Sequence, residues 1–427
     1  MIWRLLYSLL AMPLMTAGLL LGGLFSAKVR RGIKGRLGEG DRLRIARSRC
    51  REERPRVIVH CASAGELESA IPLMEELVAR SDVDILLTYF SPSAVERARR
   101  ITIPVDHFYL PIDSIRRMRR LLNIIEPSLI LFIKHDIWPN LVWLAAKRSI
   151  PTALVNGNFR PDSKRLKRAA IPFGRAVLPN LKAIFAVARD DAHRFRFLAG
   201  PGPAVEVTGD TRFDRVRQRA LAGREDQGSL ADRLAGRPVA VCGSTWPADE
   251  ALLFEAWKEV RNAASGSLLL LAPHEPLGER IRFILNTAAE QGLLAMTLTE
   301  IEAGVPIPEV LIVDRVGVLA GMYGLGRVAY VGGAFGHGVH SVIEPAVFGI
   351  PVLFGPKYLM SHEARDLLTL GAAESVTTAE QIAEHFSEAL LGGEMSRAHG
   401  EMAGRFVEEH SGVARKVAAA CAGLAGW

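Results

Sequence analysis

Between Val328 and Pro356 the chain reads VAYVGGAFGHGVHSVIEPAVFGIPVLFGP, and within it Gly332, Gly333, His337, Gly338, His340, Ser341 and Glu344 have types and spacing suited to a phosphorylated ligand. An apolar strand that breaks into glycines before a helix brings backbone N–H groups close to an anion, with the positive helix end behind them. A carboxylate just inside that helix accepts hydrogen bonds from sugar hydroxyls, so the stretch reads as a nucleotide or nucleotide-sugar cradle. A plain tight turn produces the same glycines.

Ligands of open parallel sheets sit at the carboxyl ends of strands, so the residues that follow each apolar run are the ones to weigh. After RVIVHCA come Ser63, Gly65 and Glu66, with Gly65 permitting a tight turn and Glu66 opening a helix. That carboxylate is either a general base or a first-turn Glu complementing the helix dipole. After SLILFI come Lys134, His135 and Asp136, read as a site or as a charged loop. After PVAVC come Ser244 and Thr245, whose hydroxyls either hold phosphate or cap the next helix. After LLLLAP comes His274, which has no metal-ligand spacing and suits a hydrogen bond to a base or a phosphate.

These residues need a scaffold that presents strand ends, and the chain supplies one. Short β-rich runs alternate with amphipathic stretches twice over, the pattern of parallel sheets covered on both faces. The expected organisation is an N-terminal membrane anchor helix over residues 1–27, a basic juxtamembrane segment over 28–54, a Rossmann-like domain over 55–210, a polar, Arg-rich connection over 211–237 and a second Rossmann-like domain over 238–427. The fold class is thus α/β, two doubly wound domains with a ligand cleft, and the last helical stretch, Glu401 to Leu424, is expected to pack over the other domain or the cleft.

The anchor rests on 22 uncharged residues from Leu5 to Ser26, long enough to cross a bilayer as a helix. Phe25, Ser26 and Ala27 would also suit a signal-peptidase cut, but the basic cluster follows the apolar run instead of preceding it, and the positive-inside rule then keeps the body in the cytoplasm. From Lys28 to Arg54 there are 11 Lys or Arg against 4 Asp or Glu, an excess equal to the whole formal net charge of +7. Basicity confined to the juxtamembrane segment points to anionic lipid headgroups, or only to fixing the topology, and not to a nucleic acid. The four cysteines are scattered and no metal spacing is present, so neither a disulfide framework nor a zinc site is expected. Walker A, H-E-x-x-H, G-x-S-x-G and full G-x-G-x-x-G motifs are missing, which weighs against P-loop, zinc-protease, serine-hydrolase and NAD chemistry.

Taken in order, HCASAGE, LLTYFSPS, YLPID, FIKHDIWPN, TGDTRFDRV, CGSTWPADE, LAPHEP, the glycine stretch and SHEARDL resemble the Kdo transferases of lipid A assembly, which add 3-deoxy-D-manno-octulosonic acid (Kdo) from CMP-Kdo. The similarity spans nearly the whole chain. It implies a GT-B fold and a membrane-associated enzyme of the cell inner membrane, with a single-pass anchor and its body on the cytoplasmic face. It also implies inverting transfer of Kdo to a lipid A precursor, lipid IVA, without cofactor or bound metal. Glu66 matches the family's catalytic base, and Asp136 its acidic position before Trp. The resemblance further implies Ser63, Gly65 and Lys134 on the acceptor side. Ser244, Thr245, His274, Gly332, Gly333, His337, Gly338, His340, Ser341 and Glu344 fall on the donor side. The chain departs from many members at Lys134, Pro273 and Ser341. Two other readings share the fold: a GT-B enzyme using a UDP-sugar, and a non-catalytic lipid-binding protein.

Overall fold

A computed structural model of the chain describes residues 2–159, 163–234 and 236–427. The chain folds into two compact units, one holding residues up to Arg215 together with Gly412–Trp427, the other Val216–Ser411.

In the first unit β1 (Arg56–Cys61), β2 (Asp84–Tyr89), β3 (Val105–Tyr109), β4 (Leu129–Ile133), β5 (Thr152–Gly157), β6 (Ala183–Ala186) and β7 (Ala204–Val207) form one sheet in the order β3-β2-β1-β4-β5-β6-β7. Every pairing is parallel. Central strands of such a sheet are covered on both faces, which is why LILFI in β4 is apolar at every position and wholly buried. The second unit repeats the plan with β8 (Val239–Thr245), β9 (Leu268–Pro273), β10 (Ala295–Thr297), β11 (Val310–Ile312), β12 (Val328–Val331), β13 (Val352–Phe354) and β14 (Ala373–Ser375), in the order β10-β11-β9-β8-β12-β13-β14. In each sheet the order reverses beside the first strand, between β1 and β4 and between β8 and β12. Such a switch point splays the following loops apart and opens a crevice at the strand ends.

Two expected boundaries differ. Residues 211–237 are no irregular linker but contain the helices Arg212–Glu225 and Gly228–Leu234, because Phe213, Ala220, Leu230 and Leu234 recur at helical spacing and are buried. The last expected helix is two. Glu394–His410 stays in the second unit, whereas Val413–Ala425 belongs to the first and buries Val413, Val417 and Cys421 in a core shared with Leu67, Leu73 and Met74 of the helix Ala64–Arg80. The second domain therefore ends near Ser411, not at residue 427.

The N-terminal helix Ile2–Phe25 has 24 residues with a mean hydropathy of 1.8, long and apolar enough to cross a membrane. Its first half carries polar contacts with the first unit. Arg4 donates to Asn180 Oδ1 at 3.2 Å, Tyr7 Oη to Asp113 Oδ2 at 2.9 Å and Ser8 Oγ to Asn140 Oδ1 at 2.8 Å. Leu9, Leu14 and Leu24 on its other side are exposed. Asp113 is fully buried and also accepts from the backbone N–H groups of Asn140 and Leu141, capping the helix Pro139–Lys147 from a distance in sequence. Burial nevertheless pushes its carboxyl up to about 7. Tyr7→Phe removes one of three donors from this site and is expected to cost about 1–2 kcal/mol, read as a lower thermal midpoint of the detergent-solubilised chain.

At Ser26, whose Oγ accepts from Val29 N, the chain turns back into the helix Ala27–Gly35. The two helices touch closely: a Cβ on Gly23 would lie 2.7 Å from Ile33 Cδ1. The basic segment continues as the helix Glu39–Arg49, so most of its charges sit on helices packed against the first unit.

Candidate active site

The switch point of the first sheet gathers titratable groups. The helix after β1 starts at Ala64, which places Glu66 in its first turn and only 8% exposed. Gly65 lies inside that helix with no atom within 4 Å of a would-be Cβ, so it serves no tight turn, against expectation; it leaves open space above the helix start. One oxygen of Glu66 accepts from Ala62 N. Burial raises its pKa, the bond from Ala62 opposes that, Asp136 adds to the rise and Lys134 subtracts from it. A carboxylate kept more basic than usual is what proton abstraction near neutrality needs. The first-turn Glu thus fits both readings at once, a dipole partner by position and a base by environment.

Lys134 and Asp136 follow β4, next to β1, as expected. Lys134 has a left-handed backbone, φ 64°, pinned by its N–H donating to Val155 O at 2.7 Å. Such a conformation costs roughly 1–2 kcal/mol for a residue with a side chain and persists where the surroundings impose it. Three residues the sequence reading did not single out complete the group. His60, fully buried at the end of β1, places Nδ1 2.9 Å from Thr88 Oγ1 and accepts at Nε2 from Trp138 Nε1 at 2.9 Å. That network assigns the proton to Nδ1. The same Nε2 lies 3.4 Å from Asp136 Oδ2, which places the Asp136 carboxylate beside the buried imidazole. Arg165, on the short helix Lys164–Leu166, is within electrostatic reach of both Asp136 and Glu66. A histidine inside the apolar run RVIVHC was a legible signal; nothing in the sequence marked Arg165.

In the second unit, Ser244 at the end of β8 also has a left-handed backbone, φ 54°. Gly332 admits no side chain, since a Cβ would lie 2.5 Å from Ser244 O, and Gly333 requires φ 95°. Gly338 shares the left-handed region, and Ser341 is exposed. Two expectations change. The Thr245 hydroxyl donates to Glu250 Oε1 at 3.0 Å in the buried interior, so Thr245 supports the strand end and does not present its side chain to a ligand. The glycine turn is largely self-bonded: the N–H groups of Gly336, His337 and Gly338 all donate to Gly333 O, and the helix behind it, Ile343–Ala346, is a single turn with little dipole.

What this switch point offers instead is a stack of rings. The Trp246 ring lies 5.0 Å from that of His274 and 4.2 Å from that of His337, and His274 stacks on His340 at 4.4 Å between centroids. Trp246 Nε1 donates to His340 Nε2 at 3.1 Å, leaving the proton on Nδ1. Burial and the neighbouring imidazoles His274 and His337 push the His340 pKa down. Beside the stack, Trp246, His274, Leu277 and Arg280 line a cavity of about 570 Å³. Glu344 stands in the one-turn helix, its pKa raised by burial.

Asp249, missed in the sequence, ties the pieces together. It is 1% exposed, accepts at Oδ2 from Trp246 N at 2.9 Å and Gly333 N at 3.0 Å, and at Oδ1 from Tyr330 Oη at 2.8 Å. Its place three residues after Trp246, at the third position of a helix, was the available signal. Among the described residues no group of three or more His, Cys, Asp or Glu is placed to hold a metal.

The profile of the family described as 3-Deoxy-D-manno-octulosonic-acid transferase (kdotransferase) matches residues 32–215. A curated 3-deoxy-D-manno-octulosonic acid transferase of Bordetella pertussis is 29% identical over 376 residues, 84% of this chain and 85% of its own. One of the same description from Haemophilus influenzae is 26% identical over 346 residues, 80% of each. Over most of its length the chain is similar to Kdo transferases. Among solved structures, a UDP-GlcNAc 2-epimerase of Neisseria meningitidis bound to UDP-GlcNAc matches with a TM-score of 0.55 at 14% identity, over 83% of this chain and 99% of that one. That likeness concerns the fold, which is GT-B as the resemblance implied. The family profile covers the unit that carries Glu66, Lys134 and Asp136 and stops at the residue where that unit first ends, Arg215.

Proposed function

We propose that the chain is an inverting glycosyltransferase that moves Kdo from CMP-Kdo to a lipid A precursor, lipid IVA, during lipopolysaccharide core assembly. The observation that carries this is Glu66, a buried carboxylate of raised pKa at the switch point of the first sheet, in a chain similar to Kdo transferases.

The steps follow from the side chains. Glu66 removes the proton from an acceptor sugar hydroxyl as that oxygen attacks the anomeric carbon of Kdo, and the carbon–oxygen bond to CMP breaks through an oxocarbenium-like transition state. Lys134 and Arg165 supply positive charge on the acceptor side, and Asp136, close to Glu66, supports the base. Ser244 and the imidazoles of His274, His337 and His340 meet the negative charge that builds on the departing phosphate. Trp246 and the cavity beside it take the nucleotide, and Glu344 its ribose hydroxyls. The apolar N-terminal helix keeps the body on the cytoplasmic face of the inner membrane, with the basic helices toward anionic headgroups.

The deciding experiment is incubation with lipid IVA and freshly generated CMP-Kdo, followed by mass spectrometry of the lipid. An added Kdo mass is expected; an unchanged lipid overturns the assignment. Nucleotide choice is checked independently. CMP at a hundredfold excess over its Kd is expected to raise stability by about 2.7 kcal/mol. UDP at the same concentration is expected to have little effect, and the reverse order favours a UDP-sugar donor.

A further inference from the structure

A second cavity lies in the first unit, away from the titratable cluster. Its volume is about 610 Å³, within the range of roughly 300–1,000 Å³ common for ligand pockets, and its wall is mainly apolar. Leu20 of the N-terminal helix, Val29 and Ile33 of the helix that folds back on it, Leu37 beyond that and Phe90 after β2 supply the apolar surface. Lys28, Arg36 and Arg120 add positive charge to the same wall. Two carboxylates also border it, but each has a cation of its own: Glu39 with Arg117 at 3.0 Å and Asp41 with Arg44 at 3.1 Å.

Arg36 is the unusual member. Its guanidinium is spent on carbonyls, Nε donating to Leu110 O at 3.1 Å, Nη1 to Gly32 O at 2.9 Å and Nη2 to Phe90 O at 2.8 Å, and it lies over the Phe90 and Tyr109 rings. Each terminal nitrogen keeps one more N–H, and among the described residues no carboxylate pairs with it. A half-buried cation in an apolar wall is costly unless an anion joins it, and a planar guanidinium fits phosphate.

The cavity is also wired to the base. Ser91, on its wall, donates its N–H to Ala62 O at 2.8 Å, and Ala62 N donates to the Glu66 carboxylate. Phe90 packs on Trp138, ring centroids 5.1 Å apart, and Trp138 bonds to the His60 that borders Asp136. The other side opens along a helix whose Leu20, Leu21 and Leu24 are exposed apolar residues.

We propose that this cavity is the seat of one acyl chain and one phosphate of the acceptor glycolipid, the chain lying among Leu20, Val29, Ile33 and Leu37 and the phosphate meeting Arg36 with Lys28 or Arg120. This rests on the acceptor class given above. The site selects an acceptor that is both acylated and phosphorylated, and it lets the lipid move from the membrane along the N-terminal helix to within two hydrogen bonds of Glu66.

The test uses the full-length chain in lipid nanodiscs and an acylated, phosphorylated glucosamine disaccharide carrying a diazirine at one chain end. Photo-crosslinks are expected on peptides spanning residues 16–41 and 90–92; crosslinks confined to other segments overturn the proposal. Leu37→Trp, a change at an exposed position of the wall, is expected to raise KM for the acylated acceptor about tenfold with kcat unchanged. The same variant should leave KM for the deacylated disaccharide phosphate as in the unaltered chain. An equal rise for both acceptors, or none for either, overturns it. Crosslinking needs no sugar transfer, so the two readings separate. Crosslinks in the cavity without Kdo transfer remove the transferase assignment and support the lipid seat; transfer with crosslinks elsewhere does the opposite. Preferential labelling by a diazirine-bearing phospholipid at equal concentration would make the cavity a general lipid site and overturn its assignment to the acceptor.

Discussion

Glu66→Gln is expected to lower kcat by about 10²–10⁴-fold, the usual worth of a positioned general base, while the thermal midpoint and the stabilisation by CMP stay as they are. The glutamine keeps the shape of the side chain, and its carbonyl still accepts from Ala62 N, so the loss isolates the proton transfer. The pH profile carries a second signature. Because burial raises the Glu66 pKa, the ionised base disappears as pH falls through a value above the ordinary 4.5, so the acidic limb of kcat/KM should sit above that value. Glu66→Gln should remove this limb from whatever activity remains. A variant with more than a tenth of the original kcat would require another base, and Asp136 would be the first to replace in turn.

Asp249→Ala is expected to have the largest effect on stability. It leaves Trp246 N, Gly333 N and Tyr330 Oη without the carboxylate that joins them, in a place where Asp249 is 1% exposed. Removing one partner of a buried, charge-assisted network costs about 3–5 kcal/mol. In a unit of this size that lowers the midpoint by roughly 10 °C. The same three bonds hold the start of the glycine turn and the Trp246 ring on which the histidines stack, so CMP should cease to raise the midpoint. If the midpoint drops but CMP still stabilises, Asp249 supports the fold and not the nucleotide site.

The alternation of strands and helices was legible because each element carries its own period, and both sheets came out parallel and doubly wound. Strand-end reasoning placed Glu66, Lys134, Asp136, Ser244 and His274 beside the switch points because they lie just after apolar runs, and the glycine turn after Val331 carried His337 and His340. Local sequence could not show partners fixed by non-local bonds. Thr245 reads like a phosphate hydroxyl until Glu250 is seen to take it, and the glycine turn reads like a nest of free N–H groups until three of them close on one carbonyl. Asp249 reads like a helix-start acid, and two of its three bonds reach 81 and 84 residues along the chain. The polar stretch after Thr211 was misread because helices with few apolar residues resemble linkers in composition. The apolar cavity in the first unit was illegible for a related reason: it forms only when the helix beginning at Ala27 folds back on the apolar one.

The return of Gly412–Trp427 to the first unit has a consequence for synthesis. The second unit is an insertion, and Val413, Val417 and Cys421 are needed to close the core against the helix Ala64–Arg80. A ribosome adding about 5–20 residues per second needs roughly 10–40 s to pass from Val216 to Ser411, and throughout that interval the first unit has an open apolar face. Its N-terminal helix has by then already emerged. The unit that carries Glu66 is therefore the first to begin folding and the last to finish, and losing only the final fifteen or so residues would leave it permanently unsealed.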